Sequence, residues 1–295
     1  MPAVRTPRWK SPSTSPKPDG AGWRVELRRS TESDAESVQL STSDGCRLRV
    51  ARGEQILIDG DWIAAITVGG KKMQPTAPWE DVCFHSDKDV DYQELELPLT
   101  GGRRLQRQIV LARDDRFLFL QDCVLSPEGG QETARIDYHG SLPLSPGVEW
   151  LPAGETHEGR LTAKYRPIAT LLPVAFPEWR TEKFPGELSF ADRSLHLKQL
   201  ADGRNLCCPL FIDLDPQRFR QPLTWRRLTV AEALDQQPKD VAVGYRVQVG
   251  AAQWVFYRAL SGRGNRTVMG YNTAYEFACV RFLSDGKLEP ILEIE

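Results

Sequence analysis

Long apolar runs are missing from this 295-residue chain, and so are the short signatures of several kinds of catalysis. No stretch approaches the roughly twenty apolar residues that a membrane-spanning helix needs, so nothing is expected to span a bilayer. Residues 1–20 contain no apolar segment of the kind a secretory signal carries. Histidine is scarce: His85, His139, His157 and His196 are the full set. None stands in an H-E-x-x-H arrangement and no G-x-S-x-G occurs, which removes zinc-protease and hydrolase-elbow chemistry. Cys46, Cys83, Cys123, Cys207, Cys208 and Cys279 include no C-x-x-C, and their spacing suits neither a zinc site nor a compact disulfide framework. A reducing, cytoplasmic setting is the expectation, with no metal and no cofactor. Lysine is sparse beside arginine, 10 against 28. The arginines are scattered and the net charge is −2, so no field attracts nucleic acid or an anionic membrane. Fixed-period repeats are absent, which disfavours a propeller or solenoid.

What is present is β-pattern. The centre is residues 105–125, LQRQIVLARDDRFLFLQDCVL. Two apolar runs meet at Asp114-Asp115, whose short side chains bond the nearby backbone and favour a tight turn. In the first arm Leu105, Arg107, Ile109 and Leu111 share one face, while Gln106, Gln108 and Val110 share the other. The second arm, Phe117-Leu118-Phe119-Leu120, is apolar on both faces and reads as a strand covered from both sides. Residues 23–28, 37–42 and 47–50 alternate in the same way. Residues 56–58 and 62–68 read as a hairpin around Asp59-Gly60-Asp61. Residues 242–249, 253–261, 275–283 and 288–294 complete the confident strands. In QWVFYRAL (253–260), Trp254, Phe256 and Arg258 fall on one face and Val255, Tyr257 and Ala259 on the other. Short strands with turn signals every few residues are the mark of sandwiches and barrels.

The remainder is less regular. Residues 1–21 are rich in Pro and Ser and are expected to form a disordered basic tail, leaving 22–295 as one domain. Residues 74–92 read as a long polar connection. Residues 141–187 carry seven prolines, which confines them to loop or edge structure, although 168–176 is apolar enough for a strand against the core. Residues 228–234 are the one candidate for a short helix. Cys123 and Cys279 lie in apolar runs and read as small core residues.

Several stretches together resemble an uncharacterised β-rich protein family of planctomycete-type bacteria. They are Trp79-Glu80, the acidic run 86–92, RQIVLARDDRFLFLQD, LTWRRLTVAE (223–232), QWVFYRAL, NRTVMGYNTAYEF (265–277) and LEPILEIE. The pattern R-x-I-V-L…R-F-L-F-L-x-D is more distantly similar to the β-supersandwich domain of heparinase II/III-type polysaccharide lyases. That resemblance implies a large antiparallel two-sheet supersandwich and contact with carbohydrate. It carries over no catalytic site, because those lyases keep most catalytic groups in a helical toroid that this sequence lacks.

Two concentrations of polar and aromatic residues are candidate sites. The first holds Trp79, Glu80, His85, Asp87, Asp91 and Tyr92, with Asp89 and Glu94 beside them: an aromatic platform with carboxylates, as a sugar site needs. The acids have oxygen ligands for Ca²⁺ but not the order of an EF-hand loop. A solvated acidic loop is the favoured reading of these residues. The second holds Tyr257, Arg258, Asn265, Arg266, Asn272 and Glu276, where a cross-strand Arg258–Glu276 pair is the structural expectation. The glycines at 262 and 264 suggest phosphate binding only weakly, since no Walker lysine follows. His139 and Tyr138 would be an acid–base couple for β-elimination, but neighbouring strand residues face opposite ways. The leading expectation is a non-catalytic all-β module binding carbohydrate or a protein partner. The competing one is a carbohydrate-active enzyme, a lyase or a mutarotase-like epimerase, with its site on a concave sheet. A self-associating structural protein is the third.

Overall fold

The computed structural model describes residues 24–29, 35–42 and 45–295. The expected tail, 1–21, lies outside them. Every strand pair is antiparallel. Among the described residues the helical content is a single 3-10 turn, Thr100–Gly102, and no helix is long and apolar enough to cross a membrane.

The hairpin Arg104–Ala112/Phe117–Leu125 lies in the middle of an eight-stranded sheet. Val90–Pro98 and Glu80–Ser86 extend it on one side. Leu206–Asp213, Arg166–Leu172, Gly159–Ala163 and Val148–Pro152 extend it on the other. Both faces are covered, which is why Phe117–Leu125 is buried at every position. One face carries Phe117, Phe119 and Tyr92, which meet Trp254, Phe256 and Phe277 of a five-stranded C-terminal sheet. Phe119 and Phe256 stack at 4.2 Å between ring centroids. That sheet runs Leu223–Leu228, Ala242–Val249, Ala252–Ala259, Phe277–Phe282, Leu288–Ile294. Its far face buries Val255, Tyr257 and Ala259 with Val230 and Val268 of a small four-stranded sheet.

The opposite face of the central sheet presents the row that includes Arg107. It packs on a second five-stranded sheet centred on Ala134–Pro143, and on the meander Arg24–Arg28, Glu36–Ser41, Arg47–Arg52, Gln55–Asp61. A bridge between Ile58 and Leu144 ties these two sheets edge to edge. At this contact Arg107 makes two 2.8 Å bonds to Asp122, and Tyr138 donates to Asp122 at 2.7 Å. The guanidinium lies 3.8 Å from the Trp62 ring centroid and also donates to the Trp62 carbonyl at 2.6 Å. Burial opposes the charge on Arg107, but Asp122 outweighs it and holds the guanidinium protonated. The antiparallel all-β sandwich is therefore as expected.

Four local expectations change. Residues 80–86 are an edge strand of the central sheet, not connection. Residues 56–58 and 62–68 do not pair: Gln55–Asp61 joins the meander while Ile63–Val68 pairs with Ala134–Pro143. The chain changes sheet between Asp61 and Ile63, and just before it Gly60 has a φ of 151° and a 2.5 Å approach of a built Cβ to Pro143, which leave no room for a side chain. Residues 228–234 are strand ends and a turn, not helix. The proline-punctuated region contributes three strands, with Val148–Pro152 at the sheet edge; the apolar run 168–176 leaves its strand at Leu172.

Candidate functional site

The two predicted concentrations meet in one place. On the face of the central sheet toward the C-terminal sheet, register stacks Glu94, Gln108 and Gln121 side by side. Gln121 donates to Gln108, which donates to the Tyr92 hydroxyl at 2.8 Å and to Glu94 at 2.9 Å. Tyr92 donates in turn to Glu94. Arg258 enters from the opposite sheet and donates to Glu94 at 3.4 Å, to Gln106, and to Glu276 at 2.9 Å. Burial resists its charge, but Glu94 and then Glu276 hold it protonated. Burial, reinforced by Glu94, pushes the Tyr92 phenol well up. Arg258 is 1% exposed. This is a charge-compensated link between layers, buried except at Glu276, and the expected Arg258–Glu276 pair is part of it.

The other predicted residues do not converge there. Tyr257 and Arg266 are on the far side of the C-terminal sheet, where Arg266 donates to the Tyr257 hydroxyl at 3.1 Å and to Glu232 at 3.1 Å. Asn265 and Asn272 are exposed, and Asn272 accepts from Thr267. Trp79 covers Arg107 with its centroid 4.9 Å from the guanidinium. Glu80 is exposed on the edge strand. Asp87 closes the next turn by accepting from the amides of Asp89 and Val90 at 2.8 and 2.9 Å, with His85 3.2 Å away. Burial raises its pKa, but these donors outweigh it and hold the carboxyl below the ordinary Asp value. Asp91 is buried and bound by Arg113 at 2.6 Å and by the Arg28 amide at 3.0 Å. The acidic run is thus turn and ion-pair structure. Among the described residues no group of three or more His, Cys, Asp and Glu stands arranged as metal ligands.

A deep concavity lies elsewhere. A cleft of about 910 Å³ opens between the segment 175–185, the strand residues 199–202, and Thr224–Arg227 with Pro238–Asp240. Pro173, Pro177 and Pro185 keep the first segment out of the sheet ladder, while Val174, Ala175 and Phe176 anchor it in the core. The Trp225 indole, buried, donates to the Phe176 carbonyl at 3.0 Å. Thr224 donates to Glu178. Residues 178–180 are pinned from below by 155–157: the His157 amide donates to the Glu178 carbonyl at 3.0 Å, and the Arg180 amide to the Glu155 carbonyl at 2.9 Å. On this platform Trp179 is 47% exposed and lines the opening.

The cleft is charged. Lys183, Arg226, Arg227 and Lys239 line it, and none of them forms an ion pair with a described residue. Burial, aided by Arg227, pushes Lys239 down. Asp240, by contrast, is held by Arg204 at 3.0 Å. On the floor, the Gln199 amide donates to the Cys207 carbonyl at 3.1 Å while its buried carbonyl oxygen has no protein partner. Such a surface can stack a sugar ring on the indole and hold acidic groups with the cations. None of these cleft residues was among the sequence candidates. Their signal was present as PVAFPEWRTEKFPG (173–186) and TWRR (224–227), but four separate segments build the site.

No family model and no curated protein matches the chain. Solved structures do. The heparan sulfate lyase HepC from Pedobacter heparinus superposes with a TM-score of 0.54 at 9% identity, covering 90% of this chain and 43% of that one. A mutant of the same lyase gives 0.53 with the same identity and coverage. The chain therefore spans less than half the length of these lyases, and at this identity the likeness is one of fold.

Proposed function

We propose that this chain is a non-catalytic β-sandwich module that binds carbohydrate, and that the cleft around Trp179 is its site. The observation that carries the proposal is the pairing of a half-exposed indole with four cations that form no ion pair with a described residue, beside the carboxylates of Glu178, Glu182, Asp202 and Asp240, in a cleft of about 910 Å³. That volume is at the upper end for small-molecule sites, about 300–1,000 Å³. It suits a short oligosaccharide. Lys183, Arg226, Arg227 and Lys239, free of ion pairs among the described residues, can hold carboxylate or sulfate groups while Glu178, Glu182 and Asp202 accept from sugar hydroxyls, and the fold shared with heparan sulfate lyases agrees with such a ligand.

A thermal-shift panel of neutral, uronic and sulfated oligosaccharides tests it, because a ligand that binds only the native state raises the melting temperature. The expected result is a rise with the acidic sugars that is lost in Trp179→Ala. No shift with any sugar at millimolar concentration contradicts the proposal and leaves a protein partner as the next occupant to test. The competing reading, a lyase or epimerase, is favoured by one feature: Lys239, with its lowered pKa, stands in the same cleft as Glu182 and Asp202. Formation of an unsaturated uronate, followed by its ultraviolet absorbance, decides for a lyase, and an inverted centre in the recovered sugar decides for an epimerase; a sugar recovered with its bonds and stereochemistry unchanged decides against both.

A further inference from the structure

We propose that the outer face of the sheet centred on Ala134–Pro143 carries a two-histidine chelating site for a borderline divalent transition-metal ion, with Cu²⁺ preferred. His139 and His196 stand on adjacent antiparallel strands, where register pairs Ser141 with His196 and His139 with Lys198. The imidazoles are diagonal neighbours on the face away from buried Tyr138. His139 Nε2 and His196 Nδ1 are 3.1 Å apart. Two metal–nitrogen bonds of about 2.0–2.1 Å meeting at roughly 100° place their nitrogens about 3.1 Å apart, so the hydrogen-bonded pair has the nitrogen separation of a chelate, and a modest turn of each ring would aim both lone pairs at one ion.

The surroundings prepare His196 for this role. Its Nε2 lies 3.2 Å from the Ala191 carbonyl. Donation of Nε2–H to that oxygen leaves Nδ1 to accept from His139 Nε2–H, and on metal binding His139 carries its proton on Nδ1 instead, which frees Nε2. A metal-bound imidazole characteristically gives its other N–H to such an acceptor, which fixes tautomer and ring orientation. The carbonyl is itself held by a tight turn in which Asp192 and Arg193 have φ of 49° and 60°. Asp137 and Glu187 supply negative charge beside His139. Glu187 also faces Lys198 at 3.9 Å. Both imidazoles are partly exposed, so solvent ligands can complete the coordination. Two imidazoles with water suit Cu²⁺, Ni²⁺ and Zn²⁺, and the general affinity order puts Cu²⁺ first.

The test is calorimetric titration of the full chain with Cu²⁺ and with Zn²⁺ alone at neutral pH, repeated on His139→Gln and His196→Gln. The expected result is one saturable ion per chain, Cu²⁺ tighter than Zn²⁺, and a loss of about tenfold or more in each variant. Electron paramagnetic resonance of the Cu²⁺ complex of the unsubstituted chain needs no variant to fold, and should show coupling to two imidazole nitrogens. Absence of saturable binding, binding unchanged in both variants, or a copper spectrum without nitrogen coupling overturns the proposal.

Discussion

Arg107 shows how much a single residue can be asked to hold. Its guanidinium is fully buried against Asp122, Tyr138 and two indoles at the contact between layers. Replacing it with Met leaves Asp122 buried without its counter-charge, so Arg107→Met is expected to cost about 3–5 kcal/mol in urea denaturation. Adding Asp122→Leu should recover much of that loss, because an apolar pair of similar volume replaces a compensated ion pair at little cost. A double variant as unstable as the single would contradict the assignment. Asp87 gives a titrating test of the opposite kind. Its folded pKa is lowered, so its charge contributes stability above the ordinary Asp value, and that contribution is lost as pH falls through the folded value. The stability gap between the wild-type chain and Asp87→Asn should therefore be widest at neutral pH and close below about pH 4. The face occupied by Arg107 was legible from alternation alone, since it shares a period of two with Leu105, Ile109 and Leu111. Its partners were not, because Asp122 and Tyr138 reach it through a second strand and a second sheet.

At the scale of elements, hairpin tips and supporting strands carry the testable consequences. The turn Ala233-Leu234 has φ of 49° and 73°, and Leu234 is fully exposed. A left-handed conformation costs an ordinary L-residue roughly 1–2 kcal/mol, a cost that glycine escapes. Leu234→Gly is accordingly expected to stabilise the chain by about 1 kcal/mol, read as a higher melting temperature. The segment 155–158 under the cleft platform responds to pH. His157 is buried against Phe176, with both ring nitrogens lacking a protein partner. Burial and then Arg180 lower its pKa, against the smaller opposing pull of Glu158 and Glu182. The unfolded chain then takes up the proton first as pH falls, and stability present above the ordinary His value of about 6.5 is lost below it. Hydrogen exchange across residues 155–180 should quicken on acidification through that range, and His157→Phe should remove the effect. The elements themselves were readable where a turn joins two strands that pair with each other, as at Asp114-Asp115. They were misread where the chain changes sheet, as between Asp61 and Ile63, because periodicity identifies a strand but not its partner. Glu80–Ser86 was missed because on this edge strand the apolar Val82 and Phe84 take the exposed face, so its sequence does not alternate apolar-in and polar-out.

For the whole molecule, the central sheet is covered on both faces, and the proposed recognition site lies at its margin. Glu94, Arg258 and the glutamines beside them bind the layers together, so polar groups that looked functional in the sequence serve the packing. The open surface chemistry lies where the 175–185 segment overhangs the C-terminal sheet, a site assembled from segments dozens of residues apart and so invisible to local pattern. The most direct measurement is calorimetric titration of the intact chain with uronic and sulfated oligosaccharides, repeated on Trp179→Ala and on the pair Arg226→Ser, Arg227→Ser. Both sets of substitutions are at exposed positions, so melting temperatures should stay close to that of the unsubstituted chain. Saturable binding of one acidic oligosaccharide per chain, weakened by about tenfold or more in each variant, is the predicted result. Binding that survives unchanged in both variants, or no binding of any acidic sugar, would contradict the assignment of this cleft as a carbohydrate site.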